Sequence, residues 1–482
     1  MAFIRKVQTA SGATAVQIAH KRYGRIRKIE HIGSAHSKEE LQLLLTLARE
    51  RMRGSQRSLF DDPEIKPEIG LQQSCSGLLL EVLTKQYNKL GFDELQDGDF
   101  AYLCFARIVE PTSKLDSLRV LSDLGVEGIS KDRLYRCLSR VIKNDYRTQV
   151  AKLCFAQART NGMSLLLYDV TTLYFEVQQE DDFRKTGMSK ERRLEPQIIV
   201  GLLVDQSGFP LSVNSFEGNK AETKTILPII NEFKKQHNVT DITIVADAAM
   251  LSSDNLKALT QAGYHYIVGS RLQKIPYSIS EYQKTGEKLS DNQIITTILD
   301  RYRIIYQYRS KRAALDMRNI EKQIAKAKKV INNLTPTSKA KFVTVKAKEK
   351  KLNHALIDKA YALAGIKGYV TNLNLPDEDI IGYYHQLFQV EASFRMAKSD
   401  LKARPIFHHK HDAIDAHLTI VFTALAIGRT IERLSRVSLK RFVKTLRPVR
   451  NGTVVINGKP YQANAIIPPT IVHLLKKLET GH

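Results

Sequence analysis

The sequence predicts an α/β protein with a mixed sheet, a helical N-terminal region and a large insertion before its last core helix. The apolar period is helical from residue 74 to 162, and three strand-like runs follow it. A basic stretch from 270 to 375 then interrupts the pattern. From residue 163 the elements run β-β-β-α-β-α-β, the order of a ribonuclease-H-like sheet, in which the first and fourth strands are neighbours.

The composition indicates a globular protein with a strongly cationic surface. The 482 residues include 74 Lys and Arg against 50 Asp and Glu, a net charge of +24, and 43% of residues are apolar. Such a surface attracts polyanions, and nucleic acid is the partner we expect. No membrane partner is expected, because the longest apolar run, 418–427, is too short to span a bilayer. The four cysteines are widely spaced without a C-x2-C pair, which predicts reduced thiols in a cytoplasmic, nucleoid-associated protein.

The first 60 residues are predicted to form a basic arm and a helix. Residues 4–32 alternate around Ser11-Gly12 and indicate a basic β-hairpin. The tetrapeptide SKEE at 37–40 resembles a capping box that opens a helix through about Met52. Residues 53–73 are polar with two prolines and predict a linker.

Residues 74–162 are predicted to be a helical, DNA-binding region. A helix at 115–124, a turn with two glycines and a second helix from about Lys131 make a helix-turn-helix possible. The second helix would present Arg133, Arg136 and Arg140 to DNA. A plain helical bundle with solvated basic residues fits the same pattern.

Residues 163–269 are predicted to be the first part of the core. One apolar strand ends in Asp169 and a later one in Asp247. Because the strands that carry them are expected to be neighbours, the two carboxylates should lie together. The other predicted elements are a hairpin of strands at 197–204 and 210–216, helices at 221–235 and 253–262, and a strand at 264–269.

Residues 270–375 are predicted to be a basic insertion domain. Apolar residues at a/d spacing from Ala313 to Leu334 predict a long helix that Pro336 ends. Between residues 301 and 351 there are 16 Lys and Arg against three acids. A solvated face is the usual explanation of a charge run, but this excess favours contact with DNA phosphates. The lysines we expect there are Lys322, Lys326 and Lys329.

Residues 376–436 are predicted to complete the core, and 437–482 to be a C-terminal region that could mediate dimerisation. At 100° per residue, Leu387 and five other apolar side chains of segment 383–401 share one buried stripe. Tyr384, Glu391, Arg395 and Lys398 form an exposed stripe beside it. A surface ion pair between Glu391 and Arg395 would explain part of this pattern equally well.

Three carboxylates, Asp169, Asp247 and Glu391, therefore stand out as candidate metal ligands and catalytic residues. Mg²⁺ prefers oxygen ligands, and two-metal phosphoryl transfer needs carboxylates that hold both ions. Mn²⁺ is expected to substitute for Mg²⁺. The run FHHKHD at 407–412, with Asp415 and His417, could bind Zn²⁺, but no ligand pattern surrounds it.

At these residues the chain resembles bacterial insertion-sequence transposases of the DDE type, in the group with the signature Y-x2-R-x3-E-x6-K. Tyr384, Glu391 and Lys398 match the tyrosine, glutamate and lysine of the signature, and Asp169 and Asp247 match the two aspartate blocks. The matching blocks, in chain order, are FIRKVQTASG, ARIVEPTSKL, LYDVTTLYFE, GLLVDQSGFPL, IVADAAMLS, YQYRSKRAALD and KSDLKARPIFHH.

Two residues depart from the signature. Leu387 stands in the arginine place, and Phe388 follows where relatives often have tryptophan. Arg395, one turn after Glu391, could replace the missing cation. Leu387 leaves the three acids untouched, so we expect activity to be retained.

The resemblance implies a metal-dependent transposase. Such an enzyme binds double-stranded DNA at the terminal inverted repeats of its element, cleaves phosphodiester bonds there and joins the 3′-OH to target DNA. Synapsis of two ends would make it a homodimer on DNA. The alternatives are a nuclease without a joining step, a catalytically silent DNA-binding derivative, and a structural nucleoid or RNA-binding protein with no need of three such acids.

Overall fold

The computed structural model describes residues 2–9, 12–22, 25–53, 69–160, 163–176, 179–187, 194–239, 242–248, 252–270, 272, 275–299, 301–332, 334, 340–346 and 349–480. The chain divides into two compact units. Unit 1 comprises Met1–Gln157, Leu173–Phe183 and Ser393–His482, and unit 2 comprises Ala158–Thr172 and Arg184–Ala392. The three candidate acids all belong to unit 2.

The strands are β1 Ala2–Gln8, β2 Thr14–Arg22, β3 Arg25–Ala35, β4 Ile69–Cys75, β5 Leu165–Tyr174, β6 Gln197–Val204, β7 Pro210–Glu217, β8 Thr243–Ala246, β9 His265–Ser270, β10 Ile294–Leu299, β11 Tyr302–Tyr308, β12 Val343–Lys346, β13 Glu349–Leu352, β14 Ile366–Thr371, β15 Asn451–Ile456 and β16 Lys459–Ala463.

The helices are α1 Lys38–Arg53, α2 Gly77–Lys89, α3 Gly98–Val109, α4 Ser117–Asp123, α5 Lys131–Lys143, α6 Tyr146–Thr160, α7 Ile226–His237, α8 Ser253–Gln261, α9 Tyr277–Lys284, α10 Ser310–Ile331, α11 His354–Ala362, α12 Asp377–His385, α13 Phe388–Arg395, α14 His411–Ser435, α15 Leu439–Leu446 and α16 Pro469–Thr480.

Unit 2 is organised around an eight-stranded mixed sheet in the order β10-β11-β14-β9-β8-β5-β6-β7. Strands β5, β8 and β9 are parallel neighbours, and β6 and β7 form an antiparallel hairpin. Every residue of β6 is buried, as expected of a strand covered on both faces. The mixed α/β class is confirmed, and the first and fourth strands of the predicted order, β5 and β8, lie side by side as expected.

The basic segment 270–375 contributes to this same sheet. Strands β10, β11 and β14 continue it beyond β9, with β14 antiparallel to β9. Helix α10 packs its apolar residues Ile320 and Ala327 against Phe342, Ile357 and Ala364. The predicted a/d stripe is only partly correct, because Met317 and Leu334 are exposed. Pro336, predicted to end the helix, lies outside the described residues.

Unit 1 begins with an antiparallel sheet in the order β1-β2-β3. The predicted hairpin is present as β1 and β2. The residues predicted as its second strand form two strands, because β3 turns back and pairs with β2 from Thr14 to Arg22. The predicted capping box is formed: Glu40 N donates to Ser37 Oγ at 3.1 Å, and Ser37 N donates to Glu40 Oε2 at 3.4 Å. Most of the predicted linker, 54–68, lies outside the described residues.

The rest of unit 1 is mainly helical. Helices α2–α6 occupy the predicted helical region, and α4 and α5 match the predicted helix pair, with Ser130 Oγ accepting from Arg133 N at 3.3 Å. Strand β15 pairs with both β4 and β16. Helix α14 has the length and composition of a membrane span, yet 89% of its most apolar window is buried inside the protein, as in a core helix. The predicted run 418–427 is therefore one part of a 25-residue helix.

The segment predicted as one helix from Tyr384 to Leu401 is broken. Helix α12 ends at His385, α13 begins at Phe388, and a π-helical turn covers Met396–Asp400. The predicted apolar stripe is nevertheless buried, with Leu387 and Phe394 each 8% exposed and Val390 fully buried. Tyr384 was expected on the exposed stripe, but it is buried.

Candidate active site

Asp169 and Asp247 are placed side by side by the register of two parallel strands. Tyr168 of β5 is the Cα partner of Ala246 of β8, and each aspartate is the next residue in its chain. The apolar residues before them fix this register because they are buried. Asp169 is half-buried and Asp247 exposed. One detail differs from the prediction: Asp247 directly follows its strand, whereas Asp169 lies within β5, which continues to Tyr174.

Tyr384 joins this site through its hydroxyl group. Its O–H donates to Asp247 Oδ1 at 3.0 Å. Burial raises the pKa of the Tyr384 phenol, and the neighbouring carboxylates of Asp247 and Asp169 raise it further. The phenol therefore stays protonated and holds one carboxylate oxygen in place. Tyr384 is buried because it carries this bond and packs on Tyr369, with ring centroids 4.9 Å apart.

A glycine makes room for this tyrosine. A Cβ atom on Gly269 of β9 would lie 2.7 Å from Tyr384 Oη and 3.2 Å from Ala248 N. Real Cβ atoms essentially never come within 3.0 Å of another heavy atom, so the hydroxyl group of Tyr384 would have to move. The absence of a side chain at Gly269 therefore allows Tyr384 to reach Asp247.

Lys367 of β14 is a site residue that sequence reasoning missed. Its Nζ lies 4.2 Å from the centroid of the Tyr384 ring. Burial lowers the pKa of Lys367, Arg312 lowers it further, and the carboxylates of Asp247 and Glu391 oppose the shift. Asp247 and Glu391 thus both act electrostatically on one ammonium group. The apolar run around GYVT was the available signal, but it lay inside the stretch interpreted as an insertion.

Glu391 is exposed on α13, and we call Asp169, Asp247 and Glu391 together the carboxylate edge. Arg395, at the end of α13, is exposed, and Lys398 is half-buried in the π-helical turn. Phe388 has 58% of its surface exposed. Glu391 and Arg395 of the second stripe are therefore exposed as predicted, whereas Lys398 is only partly accessible.

The carboxylate edge has the donor chemistry of a Mg²⁺ site, since carboxylate oxygens are the ligands that this ion prefers. Within the described ranges, however, no three His, Cys, Asp or Glu residues are close enough to enclose one ion. The strand register brings Asp169 and Asp247 together, and Glu391 on α13 is the third acid of the carboxylate edge. The aspartate pair, with one carboxylate oxygen of Asp247 bound by Tyr384, is the part of this donor set that the structure brings together.

The predicted DNA contacts lie on two helices with different surroundings. Lys322, Lys326 and Lys329 are exposed along α10, and we call them the lysine face. On α5, Arg133 and Arg136 are both exposed, although Arg133 Nε also lies 2.8 Å from Asp99 Oδ1. Arg140 is paired with Asp97 at 2.8 Å and with Asp99 at 2.9 Å.

His417, which follows the histidine run at 407–412, is hydrogen-bonded within unit 1. His417 is buried; its Nδ1 lies 3.2 Å from Lys114 Nζ and its Nε2 lies 3.1 Å from the carbonyl oxygen of Ala403. An ammonium group can only donate, so Nδ1 accepts and Nε2–H donates to the carbonyl. Both ring nitrogens are therefore engaged in hydrogen bonds.

Comparison with known families gives the class of the protein. The family model described as "Transposase DDE domain" matches residues 160–427, more than half of the chain. The chain therefore belongs to the DDE transposase family, whose members are polynucleotidyl transferases or nucleases and generally use divalent metal ions. The matched range includes all three acids of the carboxylate edge.

Two further comparisons complete this description. The cryo-EM structure of a piggyBac transposase synaptic complex with hairpin DNA is similar, with 13% sequence identity and a TM-score of 0.42. The match covers 77% of this chain and 76% of that chain. No match was found among curated proteins.

Proposed function

We propose that this chain is a DNA transposase that binds the terminal inverted repeats of an insertion sequence, cleaves phosphodiester bonds at the ends and joins the 3′-OH to target DNA. The observation that carries the proposal is the pairing of Asp169 and Asp247 by strand register. Membership of the DDE family supports it. We also propose that the chain is encoded by a bacterial insertion sequence and belongs to the transposase group with the Y-x2-R-x3-E-x6-K signature.

In this proposal the carboxylate edge holds divalent ions, Mg²⁺ or Mn²⁺. When bound, such ions activate an attacking oxygen and stabilise the leaving oxygen of an in-line displacement. Tyr384 keeps the Asp247 carboxylate oriented through its 3.0 Å hydrogen bond. Because Tyr384 is buried and its pKa is raised, it supplies this hydrogen bond throughout the physiological pH range.

The remaining residues position DNA. Arg395 and Lys398 follow Glu391 along the same segment and are proposed to contact phosphates next to the scissile bond. The lysine face, Arg133 and Arg136 would hold the flanking duplex through phosphate contacts, for which a net charge of +24 provides the driving force. We further propose a homodimer on DNA, which brings two ends together, and a cytoplasmic, nucleoid-associated location.

The test is cleavage and joining with purified protein. The substrate is a labelled duplex that carries the inverted repeat flanking the gene, incubated with Mg²⁺ and a target plasmid. We expect a nick at the repeat end, followed by transfer of the label into the plasmid. Asp247→Asn is the matched inactive variant, because it keeps the shape of the side chain and removes its charge.

The alternatives give different products in the same assay. A nuclease would cut the end without transferring it, also when the end is supplied already cut. A catalytically silent derivative would bind the repeat and leave it intact. Either outcome would refute the proposed function as stated.

A further inference from the structure

A cavity of about 670 Å³ lies beside Asp247 and Tyr384 within unit 2. Its wall is formed by β9, β14, α10 and α11, so the basic segment and the core sheet build it together. The cavity contains a carboxylate of the proposed active site at one edge and a group of basic side chains around the rest. Those basic residues are Arg312, Lys341, Lys359 and Lys367.

Lys367 lies close to two aromatic rings at the wall of this cavity. Its Nζ lies 4.2 Å from the centroid of the Tyr384 ring and 5.6 Å from that of Tyr369. Two aromatic rings that face one ammonium stabilise its positive charge and restrict its movement. Since Tyr384 also donates to Asp247 Oδ1, the ammonium and the carboxylate are both positioned by the same tyrosine.

The charge of the cavity selects its ligand. Four basic residues line it, and Asp247 and Asp316 are the two acids among the lining residues. Asp316 lies 3.5 Å from Arg312 and accepts from the backbone N–H of Gly365 at 3.1 Å, so the charges of Asp316 and Arg312 offset each other. Three lining lysines, Lys341, Lys359 and Lys367, then stand against Asp247. The remaining positive potential favours an anion of a size that 670 Å³ admits, such as a nucleotide phosphate.

We propose that the DNA strand enters this cavity and that Lys367 contacts its phosphate next to the scissile bond. Lys367 is then a positioning residue that holds the strand relative to the carboxylate edge, in the role of a compact point charge. This inference rests on the proposed transposase function, because it names a DNA contact of the same site.

The test combines a protein variant with a DNA variant. Lys367→Met removes the charge and keeps most of the length, and methylphosphonates neutralise single phosphates on either side of the scissile bond. Single-turnover cleavage is measured at saturating protein. We expect Lys367→Met to cleave about 10- to 100-fold more slowly, the range for removing a charge-assisted hydrogen bond, with end binding unchanged.

The decisive result is the coupling between the two changes. At one position, the methylphosphonate is expected to lower the cleavage rate of the parent by a similar factor. The same methylphosphonate should lower the cleavage rate of Lys367→Met little further, because the charge that contacts this phosphate is already absent. Lys367→Arg should recover part of the rate, because it restores the charge. Lys257→Met, on the exposed face of α8, is the matched control and should cleave at the parental rate.

Two results would overturn the inference while the proposed function stands: parental cleavage by Lys367→Met, or equal methylphosphonate penalties at every position in both proteins. Loss of folding in the variant, seen as a lowered melting temperature with no recovery in Lys367→Arg, would also contradict a positioning role. A parent that does not cut the unmodified end would overturn the proposed function itself.

Discussion

The carboxylate edge and the lysine face belong to the same compact unit, but they are built in different ways. Asp169 and Asp247 are fixed by the register of buried parallel strands, so each has one position. The lysine face lies on the exposed side of α10, where neighbouring lysines repeat the same chemistry over several turns. The position of the aspartate pair is therefore set by the backbone of two strands, whereas the lysine face depends on the density of positive charge along a helix.

This difference predicts two kinds of mutational response. A residue that backbone register places has no substitute, so its loss should abolish one step completely. Lysines that act by screened, redundant phosphate contacts should each contribute a small part of binding. Substitutions in the carboxylate edge should therefore lower cleavage and leave DNA binding intact, whereas substitutions in the lysine face should lower DNA binding.

The largest expected effect is on the carboxylate edge. Asp169→Asn, Asp247→Asn and Glu391→Gln each keep the shape of the side chain and remove one charge. Loss of several kcal/mol of metal-dependent stabilisation should lower cleavage by about 10³-fold or more. Chelation by EDTA should have the same effect in the parent, and Mn²⁺ should replace Mg²⁺ in restoring activity. The measurement is cleavage of one labelled repeat end.

Binding of the same end is the control for these variants. It should survive, and tighten slightly, because fewer carboxylates repel the phosphates. If any one of the three variants cuts at the parental rate with Mg²⁺, that residue is not a metal ligand, and our assignment fails at that position.

A second substitution tests the packing that supports the edge. Leu387 is 8% exposed, so Leu387→Arg places an unpaired charge in the buried stripe and should lower the free energy of unfolding by several kcal/mol. Phe388→Arg is the matched control, since Phe388 is 58% exposed, and it should change stability little. Thermal unfolding measures both. A stable, more active Leu387→Arg protein would show that the signature arginine can be restored and that the packing explanation is wrong.

The lysine face should respond in a graded way. Replacing Lys322, Lys326 and Lys329 by Ala should weaken end binding, by roughly 1 kcal/mol for each phosphate that a lysine no longer neutralises. The slope of log K against log salt should flatten by about 0.9 for each such phosphate. Lys235→Ala with Lys257→Ala, exposed on α7 and α8, serves as the control and should leave the slope unchanged. A parental slope in the triple variant would show that this face does not meet DNA.

The smallest effect tests the fit of Tyr384. Gly269→Ala introduces a Cβ 2.7 Å from Tyr384 Oη, so the phenol must shift away from Asp247. We expect cleavage to fall about 10-fold, the cost of one misplaced hydrogen bond, with binding intact. Gly382→Ala is the control, because a Cβ there meets no atom within 4 Å. Equal cleavage rates of the two variants would show that the hydrogen bond from Tyr384 to Asp247 does not contribute to cleavage.

The core strands could be predicted because their signals are local. Unbroken apolar runs and the turn DQSG identify β5 to β7, and the order of elements places β5 beside β8. The position of β14 could not be predicted in this way, because α10, two short strands and α11 separate it from β11. Lys367 was missed for the same reason.

Two features of the helices depended on contacts that are distant in sequence. Regular periodicity predicted one helix from Tyr384 onward, but the helix that contains Tyr384 ends at His385. The side chain of Tyr384 is buried because it is hydrogen-bonded to Asp247, 137 residues away in the sequence. On α5, likewise, the charge pattern did not show that Arg133 lies 2.8 Å from Asp99 of α3. A sequence shows the charge of a helix and leaves its partners within the fold unspecified.

The most direct test of the division between chemistry and binding compares two variants on one labelled repeat end. Single-turnover cleavage is measured at protein concentrations that saturate the DNA, for Asp247→Asn and for the triple alanine variant of the lysine face. We predict that Asp247→Asn binds and leaves the end uncut, while the triple variant cuts at nearly the parental rate once the DNA is saturated. Cleavage by Asp247→Asn, or an uncut end in the saturated triple variant, would contradict the account.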